Sequence, residues 1–281
     1  MAKKFTGTLS KDLPGGRVAV PAGSEDRSYY KYYLEPFKDI SDELKEKIKS
    51  GVFKKGEGLE ITDRRRLQEE KAFPAQDGYY LLKGGGALSV ANVKMPDVTG
   101  EMLGWWASWH GIDPLRYAIW DNQDHYSLEI IENKERLLDD SIPVGERVWG
   151  TRHKIMESFI GDTPGPVEMK FLSPWECGYD KSLDGTDRLM YFVCAQASIN
   201  GIPVFATEGL VKGEDGINEA RCRFWIGYQL QPDGSFKCKL PPFIKPPKDL
   251  VHRLIMHNHR EFTHLNKVLP RIYSEEKDNW A

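Results

Sequence analysis

The chain has 281 residues, with 39 lysines and arginines against 42 aspartates and glutamates and a formal net charge of −3. That length buries a sizeable core, as one large domain or a main domain with an appendage, and the balanced charge argues against a nucleic-acid-binding surface. No apolar run approaches the ~20 residues of a membrane span, and the start, Met-Ala-Lys-Lys-Phe-Thr-Gly, lacks the apolar core of a signal peptide, so the chain reads as cytoplasmic.

Residues 1–75 are charged and irregular and form one expected region, with a helix predicted over 41–49. The basic run Arg64-Arg65-Arg66 reads as a solvated helix face rather than a binding site. The main domain is expected over 76–281. A strand over 79–83 leads into Gly84-Gly85-Gly86, which lacks the Lys-Ser/Thr of a phosphate loop and reads as a bend. Over 95–110, Val98, Met102, Trp105, Trp106 and Trp109 recur at helical spacing, predicting a helix packed on the core.

Strands are predicted over 150–160, 166–172, 189–198, 202–210 and 219–230, and Asn200-Gly201 joins two of them as a tight hairpin. In the last of these, Ala220, Cys222, Phe224, Ile226, Tyr228 and Leu230 alternate onto one face, while Arg221, Arg223, Trp225 and Gln229 take the other. Cys177, Cys194, Cys222 and Cys238 form no Cys-x-x-Cys pair, so they read as reduced core thiols. A final amphipathic helix is predicted over 248–269. Antiparallel hairpins closed by one long C-terminal helix imply an α+β helix-grip fold, a curved sheet wrapped around the helix with a cavity between them.

That helix carries two ionisable residues inside its apolar stripe. At about 100° per residue from Leu250, the aliphatic residues fill one arc, with His257 at about −20° and Glu261 at about +20°. Arg260 and His259 fall on the opposite, polar face, and His252, His259 and His264 read as lying on or near the wet side. A buried unpaired carboxylate costs several kcal/mol, so Glu261 must be protonated, paired or bound to a cation. One turn apart, His257 and Glu261 could grip one metal ion from the same side. Further ligands are sought on elements facing the helix. Strand alternation groups His153, Ile155, Glu157 and Phe159, and the segment 109–125 offers His110 and His125. Two imidazoles and two carboxylates suit zinc, and iron or manganese would accept the same set. Each member also has a plain structural reading: Glu157 paired with Arg221 or Arg223, His110 hydrogen-bonded in the core.

Three motifs occur together. The first is Trp105-Trp106-x-x-Trp109-His110 followed by Arg116-Tyr117-x-x-Trp120 and Asp124-His125. The second is Arg221-x-Arg223-Phe224-Trp225-x-Gly227-Tyr228, and the third is His257-x-x-x-Glu261. In this order they resemble the 2,4-diacetylphloroglucinol hydrolase and phloretin hydrolase family, over residues 79–269. The resemblance implies a Bet v 1-like helix-grip domain, a small N-terminal dimerisation region giving a homodimer, and a zinc-dependent hydrolase acting on a carbon–carbon bond. It further implies Zn2+ held by His125, Glu157, His257 and Glu261, His110 being a structural neighbour, with Tyr117 and Tyr228 facing an acylphloroglucinol substrate. The family also uses a cavity histidine on the strands before the Arg-x-Arg-Phe-Trp motif. This chain has no histidine between His153 and His252, and Glu208 is the candidate replacement. The rival reading from another class is a non-catalytic protein that holds an apolar ligand in the same cavity.

Overall fold

A computed structural model describes residues 16–280 apart from 38, 70 and 242, so the opening heptapeptide lies outside the described residues. In chain order the elements are α1 (Tyr30–Tyr33), α2 (Asp42–Ser50), β1 (Val52–Phe53), β2 (Gly78–Leu81), β3 (Ala87–Lys94), α3 (Gly100–Trp109), α4 (Pro114–Trp120) and β4 (His125–Glu132). There follow β5 (Arg152–Glu157), β6 (Gly165–Leu172), β7 (Tyr191–Ile199), β8 (Ile202–Lys212), β9 (Asn218–Ile226), β10 (Tyr228–Leu230), β11 (Phe236–Cys238) and α5 (Lys248–Glu276). β1 to β9 form one sheet in the order β1-β2-β3-β9-β8-β7-β6-β5-β4, antiparallel except for β1 beside β2. The expected α+β architecture is therefore present, with a curved antiparallel sheet gripping a long C-terminal helix.

Local chemistry sets several boundaries. Ser41, Thr99 and Asp113 each accept a backbone N–H at the start of α2, α3 and α4, satisfying donors that the first helical turn leaves open. The helix predicted from residue 95 consequently begins only at Gly100, because β3 runs to Lys94. Asn200 and Gly201 take φ of 50° and 82° between β7 and β8, the left-handed pair that a two-residue hairpin turn requires. α5 runs on through Pro270 to Glu276. Just beyond its end, the indole N–H groups of Trp105 and Trp109 donate to the carbonyls of Lys277 and Asn279 at 3.2 and 2.7 Å.

The sheet is covered on both faces. One core lies between the sheet and α3, α4 and α5, and includes Trp106, Val93, Leu210, Val251, Leu265 and Ile272. A second, with Leu59, Leu67, Tyr80, Phe205 and Trp225, lies on the opposite face. Double coverage buries the first five residues of β3 without alternation, so no period-two signal marks that strand. β4 also escapes the pattern, since its pairing with β5 shifts register twice and each irregularity interrupts the alternation. Val18, Tyr29, Tyr32 and Ile48 belong to the first core, so packing continues across position 75.

Two expectations about polar residues are corrected. His252, His259 and His264 are buried, not wet, and so is Arg260. Preceding segments cover that side of α5: His259 Nε2 lies 2.9 Å from Asp77 Oδ2, and His264 stacks on Phe37 with ring centroids 4.3 Å apart. The arginine run is only partly solvated, because Arg64 donates to the Cys177 carbonyl at 2.7 Å and Arg65 donates to that of Gly178. No helix among the described residues is long and apolar enough to cross a membrane.

Candidate metal centre

α5 and the sheet enclose a cavity of about 110 Å³, lined by Tyr117, His125, Glu157, Glu208, His257 and Glu261 among largely apolar side chains. The apolar stripe of α5 turns His257 and Glu261 inward, and β5 alternation does the same for Glu157. His125 begins β4 directly after a turn in which Asp121 accepts the N–H groups of Gln123 and Asp124 at 2.9 and 3.1 Å. Asp124 in turn accepts from the Ser158 hydroxyl and, at 2.7 Å, from Ile160 N–H. It thereby clips the start of β4 to the end of β5, beside Glu157.

Three donor atoms converge, with Glu157 beside them. The Nε2 atoms of His125 and His257 are 3.3 Å apart, and Glu261 Oε2 lies 3.5 and 3.6 Å from them respectively. Glu157 Oε2 is 3.8 Å from His125 Nε2. Zinc bonds of about 2.0–2.2 Å in a tetrahedron place neighbouring ligand atoms roughly 3.3–3.6 Å apart, so the three spacings among His125, His257 and Glu261 match coordination, while Glu157 stands outside that close set. His125 Nδ1 lies 3.1 Å from the Tyr117 carbonyl, which takes its N–H and leaves Nε2 as a lone pair facing the cluster. On the other imidazole, Nδ1 faces Asp124 and Asp121 at 3.6 and 3.7 Å. Asn258 Nδ2 donates to Glu261 Oε1 at 3.0 Å, so the other carboxylate oxygen is the one turned to the imidazoles.

The charge balance also points to a cation. Burial opposes a charge on His257, but Glu261, Asp124 and Asp121 outweigh it and raise its pKa to about 9. Burial raises the Glu157 carboxyl. Burial, reinforced by Glu261 and Glu157, raises Glu208 to about 8. Although burial works against it, Asp124 is held well below the usual carboxylate range by His257 and Arg260. Arg260 donates to Asp121 at 2.6 Å and also to Asp124, so its charge is already engaged. Three further carboxylates therefore share a low-dielectric site with two imidazoles. This buried group can hold a metal ion, and its two nitrogens and hard oxygens fit zinc.

Tyr117 donates its hydroxyl to Glu157 Oε2 at 2.8 Å and stacks on His125 at 4.0 Å. Burial and the neighbouring Glu157 keep its pKa well above the ordinary phenol value. Arg221 and Arg223 lie across the sheet and do not pair with Glu157: Arg221 pairs with Glu219 at 3.2 Å and Arg223 with Asn92 at 2.8 Å. His110 stands apart from the cluster, its Nδ1 2.7 Å from the Trp106 carbonyl.

The expectation that Tyr228 faces this cavity is overturned. Gly227 takes φ of +97°, which ends β9 and resets the side-chain alternation. Tyr228 turns to the opposite face, packs with the Leu59 and Trp225 cluster and donates to the Gly85 carbonyl at 3.1 Å. Gly84 makes room for it, since a Cβ there would meet the Tyr228 hydroxyl at 2.7 Å. Sequence reading gave no role at this site to Asp121, Asp124, Asn258 or Arg260. Their available signal was position: two aspartates flanking the turn into His125, and polar residues one and three places after His257.

A family model, the DAPG hydrolase PhiG domain, matches residues 59–274. Phloretin hydrolase of Eubacterium ramulus is 33% identical over 274 residues, spanning 97% of this chain and 98% of the relative. A 2,4-diacetylphloroglucinol hydrolase of Pseudomonas protegens is 25% identical, over 90% and 86% of the respective chains. A solved structure described as Ara h 8.0201 is 15% identical, with a TM-score of 0.39, and the match covers 65% of this chain and 96% of that one.

Proposed function

Because the chain belongs to the DAPG hydrolase family, we propose that it hydrolyses the carbon–carbon bond between an acyl group and a phloroglucinol ring, releasing a carboxylic acid and the free polyphenol. The observation that supports this reading is the convergence of His125, His257 and Glu261, with Glu157, Tyr117 and Glu208 lining the same apolar cavity. A carrier for an apolar ligand has no use for three cavity-lining carboxylates beyond those that Arg260 neutralises.

An aryl ketone resists hydrolysis because the leaving group would be an aryl carbanion. After the ring tautomerises to its keto form the acyl group belongs to a β-dicarbonyl, and the departing carbanion is an enolate. Water adds to the acyl carbon, the carbon–carbon bond breaks, its electron pair passes into the ring, and a proton returns to the ring carbon. Zinc in such a donor set supplies Lewis acidity, polarising a substrate oxygen or lowering the pKa of a water. Tyr117 keeps its proton, donated to Glu157 in the free site, and turns that hydroxyl to substrate oxygen as the oxygen gains negative charge. Glu208, whose carboxyl is pushed up by burial and by the charges of Glu261 and Glu157 in the metal-free site, is the group we assign to reprotonating carbon. The apolar walls exclude water from the departing enolate. The same reading has the protein working as a homodimer in the cytoplasm, which sedimentation and cell fractionation test.

The decisive experiment incubates zinc-loaded protein with a panel of acylphloroglucinols and follows release of the polyphenol by chromatography. Turnover with about one zinc per chain is expected. Absence of turnover across the panel, with zinc bound, would remove the hydrolase reading.

A further inference from the structure

Of the α5 side chains that line the cavity, Asn258 is the polar one outside the donor cluster. It is buried, with 2% exposure. On the helical wheel it stands at about 80°, between Leu254 at about 40° and Phe262 at about 120°, which is the middle of the apolar stripe. Asparagine is a weak helix former, and an aliphatic residue at that angle would pack on the sheet with no polar group to satisfy.

The amide has one partner. Its Nδ2 donates to Glu261 Oε1 at 3.0 Å, one helical turn on. Its Oδ1 is buried with no hydrogen-bond partner among the described residues. Flipping the amide gives no relief, because Oδ1 would then face a carboxylate oxygen, acceptor against acceptor. A buried acceptor left unmet keeps the full desolvation penalty of that group. The fold alone therefore gives no reason for an asparagine here, and the contact with Glu261 does.

That contact divides the labour of the carboxylate. Oε2 lies 3.5 and 3.6 Å from the Nε2 atoms of His125 and His257, while Oε1 is engaged by an amide N–H in a charge-assisted bond. A carboxylate tied in this way offers a metal one oxygen. Monodentate carboxylate beside two imidazoles suits the low coordination number of zinc. A carboxylate free to swing presents both oxygens and raises the coordination number, which favours ions that take six oxygen-type ligands, such as manganese.

We propose that Asn258 is a positioning residue that keeps Glu261 monodentate and thereby biases the centre toward zinc over manganese. The role rests on the metal-centre reading and adds to it what sets the choice of ion.

The test titrates zinc and manganese, each against a chromophoric chelator, into metal-free wild type, Asn258→Leu and Asn258→Ala, with circular dichroism to show the fold. Each variant should bind zinc about 10-fold more weakly, the lower end for loss of a group that orients a ligand, and the zinc-to-manganese affinity ratio should fall by about as much. In the Glu261→Gln background the Asn258→Leu substitution should change zinc affinity by less than about twofold, because a residue that acts through another has no effect once that other is gone. A packing role predicts the same loss in both backgrounds, and that result overturns the proposal. So does an unmoved ratio in a folded variant, and so does failure of both the leucine and the alanine variants to fold. A wild-type chain that takes up neither ion overturns the metal centre and this role with it, whereas wild-type uptake of zinc with an unmoved ratio in the variants overturns the role alone.

Discussion

Replacing Glu261 by Gln tests the metal centre with almost no change in volume. In the native chain Asn258 Nδ2–H holds Oε1 at 3.0 Å, and Oε2 is aimed at two imidazole nitrogens 3.5 and 3.6 Å away. Glutamine keeps its carbonyl oxygen on the Asn258 donor, so its NH2 group is the end that faces the imidazoles. A donor then stands where a ligand is needed, and one negative charge is gone. Zinc-site binding free energies of about 10–16 kcal/mol spread over four ligands give about 2.5–4 kcal/mol each, roughly a 10²- to 10³-fold loss of affinity. The fold should survive, because the substitution relieves repulsion among buried carboxylates, and the metal-free melting temperature should hold or rise. Zinc-buffered titration, elemental analysis and thermal melting on the same preparation measure all three quantities. Wild-type zinc affinity and full occupancy in E261Q would refute the assignment of Glu261 as a ligand.

Asp124→Asn should weaken zinc binding about 10- to 100-fold without touching a ligand, because Asp124 faces His257 Nδ1 and clips β4 to β5; unchanged affinity in a zinc titration would count against that positioning role. Tyr228→Phe should cost about 1 kcal/mol of stability and leave turnover unaltered, since the lost hydrogen bond goes to Gly85 on the far face of the sheet. A tenfold or greater drop in turnover rate would return Tyr228 to the mechanism. Glu208 has a folded pKa of about 8, above its ordinary value of 4.5, so its contribution to metal-free stability is fully present below about pH 4.5 and is lost as pH rises through 8. Glu208→Gln should flatten that slope in a melting series. If Glu208 reprotonates carbon, wild-type turnover should decline on the alkaline side as its carboxyl ionises, and the glutamine variant should be slow at every pH.

The site was legible in the sequence wherever chemistry coincides with a short period. The 3.6-residue repeat of α5 turned His257 and Glu261 inward, the two-residue repeat of β5 did so for Glu157, and the motif resemblance singled out His125 and Tyr117. Hairpin signals and the long final helix likewise announced the α+β helix-grip. β3 was hidden because both of its faces are covered, and β4 because register shifts interrupt its alternation. Tyr228 was misplaced because a single left-handed residue, Gly227, reset the strand. Arg260, His259 and His264 looked solvent-facing on the helical wheel, yet Asp121, Asp77 and Phe37 cover them from elements 139, 182 and 227 positions away in the chain. A periodic pattern reports which way a side chain points relative to its own element. Whether that direction meets water, a carboxylate or a second layer of protein depends on contacts between distant segments, and these only the tertiary structure decided.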